Sequence, residues 1–232
     1  MGKTEELKKS TIREYFESIC VAVILALFIR TFVFQAFKIP TGSMEQNLLI
    51  GDHLLVNKML YSPTSSAFER KLTPIRNVRR QDVVVFKFPD DPKRDFIKRV
   101  IGLPNERIRI VNKQVYINDV ALEEPYIFFR DSTTAQPTYL FDPMRDNMSE
   151  IMIPEGQYFV MGDNRDNSHD SRYWGTLDGN LLKGRALIIY WSYEASRDAY
   201  MKQGLEWGKE LVSVAVNFIP KTRWKRFFHL VR

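Results

Sequence analysis

Two residues of this chain have the types needed for serine-based hydrolysis, although they lie far apart in the sequence. Ser43 follows the bend Pro40-Thr41-Gly42, so a turn presents its hydroxyl. A serine hydroxyl is a weak nucleophile and needs an adjacent base. The chain has three histidines: His53, His169 and His229. Lysine is the other known partner for serine, and Lys98 lies in a largely apolar stretch, residues 96–101.

A third stretch, Gly162–Arg172, alternates acids, asparagines and arginines directly after the apolar residues Tyr158–Met161. A calcium loop also alternates Asp and Asn, but the ligand spacing and the closing glutamate of an EF-hand are missing here. Acids interleaved with arginines favour a scaffold of buried ion pairs instead. We therefore expect this stretch to support a site, not to bind a metal.

Composition excludes several other kinds of chemistry. The sequence holds one cysteine, Cys20, which excludes an internal disulfide or a thiolate metal cluster. It contains no phosphate-binding loop, no His-Glu-x-x-His and no dinucleotide fingerprint. We therefore expect no metal and no cofactor. The formal charge of +6 favours contact with anionic surfaces such as lipid headgroups.

The elements that must position these residues begin with an apolar run. Residues 19–29 carry no charge, and Phe16 to Phe34 is long enough to cross a bilayer if Arg30 extends its guanidinium to the headgroups. A cleaved signal peptide is the main alternative, although no small-x-small site follows the run directly. Lysines before the run favour an N-terminus on the inside.

After the run the sequence becomes typical of β structure. Short apolar stretches separated by Gly, Pro, Asn and Asp predict an all-β body, a barrel or sandwich. The predicted strands are Leu48–Val56 broken at Gly51-Asp52, Asp82–Phe88, Phe96–Ile101, Arg107–Val111, Gln114–Asn118, Ile151–Pro154, Gln157–Met161 and Leu187–Ser192. Residues 61–80 are predicted to be an exposed loop.

The tail has a different character. Residues 205–218 fit an amphipathic helix, and Lys221–Phe228 mixes basic and aromatic side chains. A membrane-surface segment, a solvated basic tail and a last edge strand all remain open. Nucleic-acid binding has no support, since no recognised nucleic-acid-binding fold is evident.

Four blocks of the sequence resemble the bacterial type I signal peptidases, also called leader peptidases. They follow the apolar run in the family's order: Phe34–Asp52, Asp82–Pro92, Asp95–Asn105, and Gly156–Gly175 with Gly184-Arg185-Ala186. The resemblance implies that Ser43 is the nucleophile and Lys98 its general base. It further implies that Thr41 and the Ser43 N–H form the oxyanion hole.

The resemblance also assigns supporting and substrate-binding residues. Ser168 matches the serine that hydrogen-bonds the base lysine, Asp170 and Arg172 match a bracing pair, and Gly162 lies in the same block. The residues expected to form shallow apolar pockets for the substrate positions −1 and −3 are Ile39, Pro40, Met44, Leu48, Phe96 and Ile97.

The implied protein is a membrane-bound serine endopeptidase that cleaves N-terminal signal peptides from exported preproteins with a Ser-Lys dyad. We expect a single-pass protein of the bacterial inner (cytoplasmic) membrane, with its catalytic domain on the outer, periplasmic face. Its partners would be preprotein signal peptides, the lipid bilayer and the export translocon. The fold should be the family's mainly β fold with one N-terminal transmembrane helix.

These expectations divide the chain into a short cytoplasmic N-terminus (1–15), a transmembrane helix (16–35), a catalytic β domain (36–196) with an irregular insertion (112–150), and a basic, aromatic C-terminal extension (197–232). Two alternatives stay open: a non-catalytic, membrane-tethered β domain that binds export clients or lipid, and a self-cleaving Ser/Lys protease of the repressor type.

Two positions depart from the family's pattern. Gln81 replaces a common glycine before the strand that begins at Asp82, and His169 replaces a small residue. A histidine-based triad through His169 is therefore a further alternative, although a surface position is the simpler expectation for this side chain.

Overall fold

A computed structural model of the 232-residue chain describes residues 11–59, 77–129, 143–194 and 213–231. The helices are α1 (Thr11–Phe28), extended by a π-helical turn (Ile29–Val33), and three short helices, α2 (Pro143–Asp146), α3 (Ser171–Trp174) and α4 (Phe218–Lys221). The strands are β1 (Phe34–Lys38), β2 (Asp52–Asn57), β3 (Val83–Lys87), β4 (Asp95–Gly102), β5 (Arg107–Val111), β6 (Gln114–Ile117), β7 (Val120–Ala121), β8 (Met148–Met152), β9 (Gln157–Met161), β10 (Leu177–Asp178), β11 (Leu182–Ser192) and β12 (His229–Leu230).

The apolar run forms one helix, Thr11–Val33, which is long and apolar enough to cross a membrane, with a mean hydropathy of 2.2 and no part of its apolar window buried against the protein. It is longer than predicted at its N-terminal side. Phe34 and Gln35, which were assigned to the helix, instead begin β1. The helix therefore continues without a linker into the first strand of the body.

The body consists of two antiparallel sheets. The larger one has the order β1-β2-β11-β3-β4-β9-β10, with β12 added beside β11, and the smaller has the order β7-β6-β5-β8. The predicted mainly β fold with one N-terminal helix is confirmed. Buried and half-buried side chains alternate in β2, so that Leu54 and Val56 lie in the core next to Val83, Val85 and Ile189.

Several predicted boundaries were wrong. Leu48 does not begin a strand but lies in a turn in which its N–H donates to the Met44 carbonyl at 2.8 Å, and Gly51 adopts a φ of 94° before β2 starts. That left-handed φ favours glycine, since other residues are strained there. Strand β11 starts at Leu182, not at Leu187, because it crosses from β3 to β2 as the longest strand of the sheet.

The range 112–150 is not irregular where the structure describes it. Residues Gln114–Ile117 and Val120–Ala121 form a hairpin, and Met148–Met152 pairs with β5 to complete the smaller sheet. The apolar core below this sheet includes Ile108, Ile110 and Val115. In and next to this range, the predicted strands Gln114–Asn118 and Ile151–Pro154 match β6 and the end of β8. The start of β8 and all of β7 were missed, because β8 is mostly exposed and β7 has only two residues.

Two other expectations fall largely on residues outside the described ranges. These are most of the loop 61–80 and most of the helix 205–218. In the tail, the described part includes β12, which pairs with β11, as the edge-strand alternative proposed.

The departure at Gln81 gives a stability prediction. Gln81 has a φ of 71° and an exposed side chain, a conformation that costs a residue with a Cβ roughly 1–2 kcal/mol. Gln81→Gly removes this strain but adds chain entropy to the unfolded state, so we expect the free energy of unfolding to rise by about 0.5–1 kcal/mol. Denaturant unfolding of the full chain in detergent would measure it.

The control is Lys87→Gly, an exposed position in the extended strand β3. An extended strand has no left-handed φ that glycine could relieve, so glycine only adds conformational entropy to the unfolded chain. The free energy of unfolding should therefore fall by about 1 kcal/mol. Equal shifts in the two variants would contradict the strain at Gln81.

Candidate active site

Ser43 and Lys98 are brought together although they are far apart in sequence. The Lys98 Nζ donates to the Ser43 Oγ at 2.6 Å, and the two residues are only 3% and 8% exposed. Ser43 lies in the loop between β1 and β2, and Lys98 lies in the middle of β4. A serine hydroxyl in direct contact with a buried amine is a nucleophile with a potential base beside it.

The loop that carries Ser43 is closed by main-chain hydrogen bonds. We call residues 39–52 the serine loop. The Gly51 N–H donates to the Ile39 carbonyl at 3.0 Å, and the Ile39 N–H donates to the Asp52 carbonyl at 2.9 Å. From outside the loop, the Asn164 N–H donates to the Ser43 carbonyl at 3.1 Å. These contacts fix the position of the hydroxyl on an element that has no regular secondary structure of its own.

Burial lowers the pKa of Lys98 from its ordinary value of 10.5 to about 8. Desolvation disfavours the ammonium form, and this is the largest cause. The carboxylates of Asp170 and Asp163 act in the opposite direction, while the Arg172 charge lowers the pKa further. The amine is therefore neutral in a large fraction of molecules at mildly alkaline pH.

No acid adjacent to Lys98 in the sequence stabilises its charge. The carboxylate of Asp95, the nearest acid along β4, pairs with Lys183 at 2.7 Å. The charge of Asp95 is therefore balanced by a lysine other than Lys98. The acids that do act on Lys98 come from residues 163–170, which the sheet brings beside β4 through β9.

Asp170 and Arg172 form a buried, bidentate ion pair behind the two reactive residues. Arg172 Nε and Nη2 donate to the two Asp170 oxygens, each at 2.9 Å, and the Gly162 N–H donates to Asp170 at 3.0 Å. Burial opposes ionisation of Asp170, but the Arg172 charge and these hydrogen bonds together lower its pKa. Arg172 also donates to the carbonyls of Arg145 and Arg165.

Gly162 lies where three parts of the site meet. A Cβ at this position would come within 2.3 Å of the Ser168 Oγ and 2.5 Å of the Ser43 carbonyl oxygen. Real Cβ atoms do not approach other heavy atoms that closely. Glycine is therefore needed here for close approach, since its φ is not in the left-handed region.

Ser168 lies in the cleft but differs from the expectation in its bonding. Its hydroxyl is buried and has no hydrogen-bond partner within the part of the chain that the structure describes. The structure therefore does not show the hydrogen bond to Lys98 that the family resemblance implied, and the Lys98 amine donates to Ser43.

A second buried ion pair lies on the other side of β4 and was not predicted residue by residue. Arg99 donates to both Asp163 oxygens at 2.6 and 2.7 Å, and its guanidinium lies 4.0 Å from the centre of the Tyr126 ring. Asn47 of the serine loop donates to Asp163 at 2.7 Å. The sequence signal for this pair was the excess of acids and arginines in residues 162–172. That composition does not show which acid pairs with which arginine.

The cleft above Ser43 has a volume of about 530 Å³ and is mainly apolar. Four of the six residues predicted to bind substrate line it, namely Ile39, Pro40, Phe96 and Ile97, and Thr41 lies at its edge with them. Met44 and Leu48 do not line it. They are 0% and 1% exposed and belong to the core, because the turn after Ser43 directs both side chains inward. Phe37, Val85 and Asn167 line the cleft and were not predicted.

His169 lies at the rim of the cleft with an exposed side chain that stacks on Tyr173, with ring centres 5.4 Å apart. The contact with the Ser43 hydroxyl is made by Lys98, not by this histidine. The geometry therefore gives the triad alternative no support. Among the described residues, no three His, Cys, Asp or Glu side chains are grouped closely enough to hold a metal ion.

A serine hydroxyl bonded to a buried lysine at the floor of an apolar cleft is the arrangement of serine hydrolases that use lysine where others use histidine. The comparisons with known proteins define the class further. A model of the family "Signal peptidase, peptidase S26" matches residues 12–191. The chain therefore belongs to the signal peptidase family, and it is a signal peptidase I enzyme that cleaves signal peptides.

Curated relatives agree with this assignment. A probable signal peptidase I-2 of Synechocystis sp. is 34% identical, with 95% of each chain covered. A signal peptidase I of Pseudomonas aeruginosa is 33% identical, covering 80% of this chain and 75% of the relative. A solved signal peptidase I from Enterococcus faecalis V583 is 30% identical over 48% of this chain and 97% of its own, with a TM-score of 0.39, too low to support an argument about the fold.

The close approach at Gly162 gives a prediction about activity. In Gly162→Ala, the new methyl group must displace Ser168 or the main chain at Ser43. We expect kcat/KM for a signal-peptide substrate to fall at least about a hundredfold, since displacements near 1 Å at reacting groups have effects of this size. The measurement is steady-state cleavage by the purified variant.

Gly156→Ala is the control, because a Cβ there meets nothing within 4 Å although the φ of 73° is strained for alanine. It should lower the free energy of unfolding by roughly 1–2 kcal/mol and leave kcat/KM unchanged. A Gly162→Ala enzyme with wild-type kcat/KM would show that the site tolerates the displacement.

Proposed function

We propose that this protein is a membrane-bound endopeptidase that removes N-terminal signal peptides from exported preproteins, with Ser43 as nucleophile and Lys98 as general base. The observation that carries the proposal is the 2.6 Å contact between the Lys98 Nζ and the Ser43 Oγ inside an apolar cleft. Burial favours the neutral amine, and only a neutral amine can accept the serine proton.

The chemistry proceeds in two steps. Ser43 Oγ attacks the scissile carbonyl as its proton moves to Lys98, and the ammonium then gives this proton to the departing amine. This leaves the signal peptide bound to Ser43 as an ester. A water molecule, deprotonated by the same lysine, attacks the ester and releases the signal peptide with Ser43 restored.

The oxyanion formed in each step needs hydrogen-bond donors. We assign this role to the Ser43 N–H and the Thr41 hydroxyl. Within the described ranges the Ser43 N–H has no hydrogen-bond acceptor, and Thr41 lines the same cleft. One such donor is typically worth about 3–4 kcal/mol in the transition state.

The supporting role of Asp170, Arg172, Gly162 and Ser168 is to keep the walls of the site in place. The Asp170–Arg172 pair holds the Gly162 main chain against Ser43, and Ser168 fills the space beside it. Of the predicted substrate-binding residues, Ile39, Pro40, Phe96 and Ile97 remain in the proposal, because they form the cleft wall. Met44 and Leu48 support that wall from the core.

The helix Thr11–Val33 would anchor the enzyme in the bacterial inner membrane. Lysines precede the apolar run, which favours an inside N-terminus. The β body would then lie on the outer face. There the body would lie beside lipid headgroups and the export translocon, where preproteins emerge. Only the five residues of β1 separate the helix from the serine loop. The serine loop would therefore lie close to the membrane surface.

Cleavage of a preprotein substrate by Ser43→Ala in lipid vesicles, beside the wild type, tests the assignment of the nucleophile. The variant should be inactive above background, whereas Ser149→Ala, an exposed serine of β8, should cleave normally. Retained activity in Ser43→Ala would refute the proposal.

The base assignment predicts the pH dependence. Lys98 must be neutral, and its pKa is about 8, so kcat/KM should rise tenfold per pH unit up to about pH 8 and level off above it. Lys98→Arg should lose roughly a thousandfold in activity, since a guanidinium does not deprotonate in this range. His169→Ala should keep the profile of the wild type, and a profile lost in that variant would transfer the base to histidine.

The shape of the cleft predicts specificity. Its apolar wall is formed by Phe37, Ile39, Val85 and Ile97 close to Ser43, which suits small side chains at substrate positions −1 and −3. Replacing Ala by Phe at −1 should lower kcat/KM by at least about a hundredfold, while the same change two residues after the cleavage site should have little effect. Equal cleavage of substrates with Ala, Phe and Lys at −1 would contradict this assignment of the cleft.

A further inference from the structure

The described end of the C-terminal extension is attached to the β body next to the serine loop. We call residues 222–231 the C-terminal strap. Its strand β12 pairs with Ile188 and Ile189 of β11, and the Arg223 N–H donates to the Ser192 carbonyl at 2.9 Å. Val231 is buried in the same core cluster as Ile39, Met44 and Leu48, which belong to the serine loop.

Arg226 is the residue of this strap that forms an ion pair with the body. Its Nε and Nη2 donate to the two oxygens of Asp52 at 3.1 and 2.6 Å, and Nη2 also donates to the Asn47 carbonyl at 2.8 Å. Asp52 is 0% exposed. A guanidinium is well suited to this role because its planar fork holds a carboxylate and a carbonyl in one fixed geometry.

Both residues held by Arg226 belong to the serine loop. Asp52 closes the loop, since its carboxylate accepts the Leu49 N–H at 2.8 Å while its carbonyl accepts the Ile39 N–H. Asp52 also accepts the Ser192 hydroxyl at 2.6 Å. The strap therefore binds the closing end of the loop whose other half carries Ser43.

From Asn47 the contacts continue to the strand that carries the lysine. The Asn47 side chain donates to Asp163, and Asp163 accepts two hydrogen bonds from Arg99, the neighbour of Lys98 on β4. One set of contacts thus runs from Arg226 through the serine loop to the residue beside Lys98. Arg226 itself touches neither the Ser43 hydroxyl nor the Lys98 amine.

We propose that Arg226 is a positioning residue of signal-peptide cleavage: the C-terminal strap holds the serine loop, through Asp52 and Asn47, at the distance from Lys98 that proton transfer requires. This rests on the proposed roles of Ser43 and Lys98. No residue of the strap lines the cleft above them, so the strap makes no direct contribution to the substrate-binding surface. The strap should therefore affect kcat more than KM.

The test compares Arg226→Met, Arg226→Lys and Lys225→Met in the full-length enzyme. Lys225 is the matched control, since it is the preceding cation of the strap and its exposed side chain makes no hydrogen bond or ion pair among the described residues. Cleavage of a signal-peptide substrate in detergent is measured at a temperature at which thermal unfolding shows each variant fully folded.

We expect kcat of Arg226→Met to fall about ten- to a hundredfold, with KM changed less than about twofold. Arg226→Lys should be intermediate, because an ammonium keeps the charge but cannot form the fork. Lys225→Met should match the wild type. A purely structural anchor would lower the unfolding temperature and leave kcat of the folded enzyme unchanged.

Three results would overturn the proposal: wild-type kcat in folded Arg226→Met, an equal loss in Lys225→Met, or failure of both Arg226 variants to fold, which would assign Arg226 to global stability. Ser43→Ala, assayed in parallel, distinguishes a failure of the proposed catalytic roles from a failure of the proposed role of Arg226. If it is inactive while Arg226→Met keeps its kcat, only the role of the strap fails. If Ser43→Ala remains active, the proposed catalytic roles fail first.

Discussion

The amine of Lys98 is buried, and its proposed role as a base depends on this burial. Desolvation lowers its pKa to about 8 from 10.5, which corresponds to roughly 3 kcal/mol. The free energy of unfolding is lowered by this amount whenever the buried amine is protonated. Below pH 8 the buried ammonium destabilises the native state by the full amount, and between pH 8 and 10.5 the unfolded chain binds a proton that the native one does not, so stability rises with pH. Above pH 10.5 the cost disappears.

Asp170 illustrates the compromise that follows. A carboxylate near the lysine stabilises the ammonium and so opposes the proposed role of Lys98 as a base. Arg172 balances the charge of Asp170 through two hydrogen bonds. The Arg172 charge itself also lowers the pKa of Lys98. Buried ion pairs of this kind contribute little net stability, since desolvation offsets the attraction. Their value here is geometric, because they hold Gly162 against the main chain of Ser43.

The sequence predicted the strands that have clear apolar patterns and clear turns. β5, β6 and β9 were predicted within a residue of their observed bounds, and the prediction of one long N-terminal helix agreed with the structure. It failed where pairing partners decide the outcome: only the end of β8 was predicted, because this strand is largely exposed and forms beside β5. Met44 and Leu48 were placed in the cleft by their proximity to Ser43 in the sequence, but the direction of a side chain after a turn is set by packing.

The same limit applies to the site. Residue types and family resemblance indicated Ser43 and Lys98, but no local pattern shows that Asn47, Asp163 and Arg99 connect their elements. Each of these contacts joins residues more than 60 positions apart. A serine on a loop and a lysine on a strand have no common rigid element, so the 2.6 Å distance between them depends on contacts from several directions. Asn164 holds the carbonyl of Ser43, the Asp163 network holds Asn47, and Arg226 holds Asp52. If Ser43 and Lys98 act as proposed, the geometry of catalysis is a property of the assembled β body, including its C-terminal end.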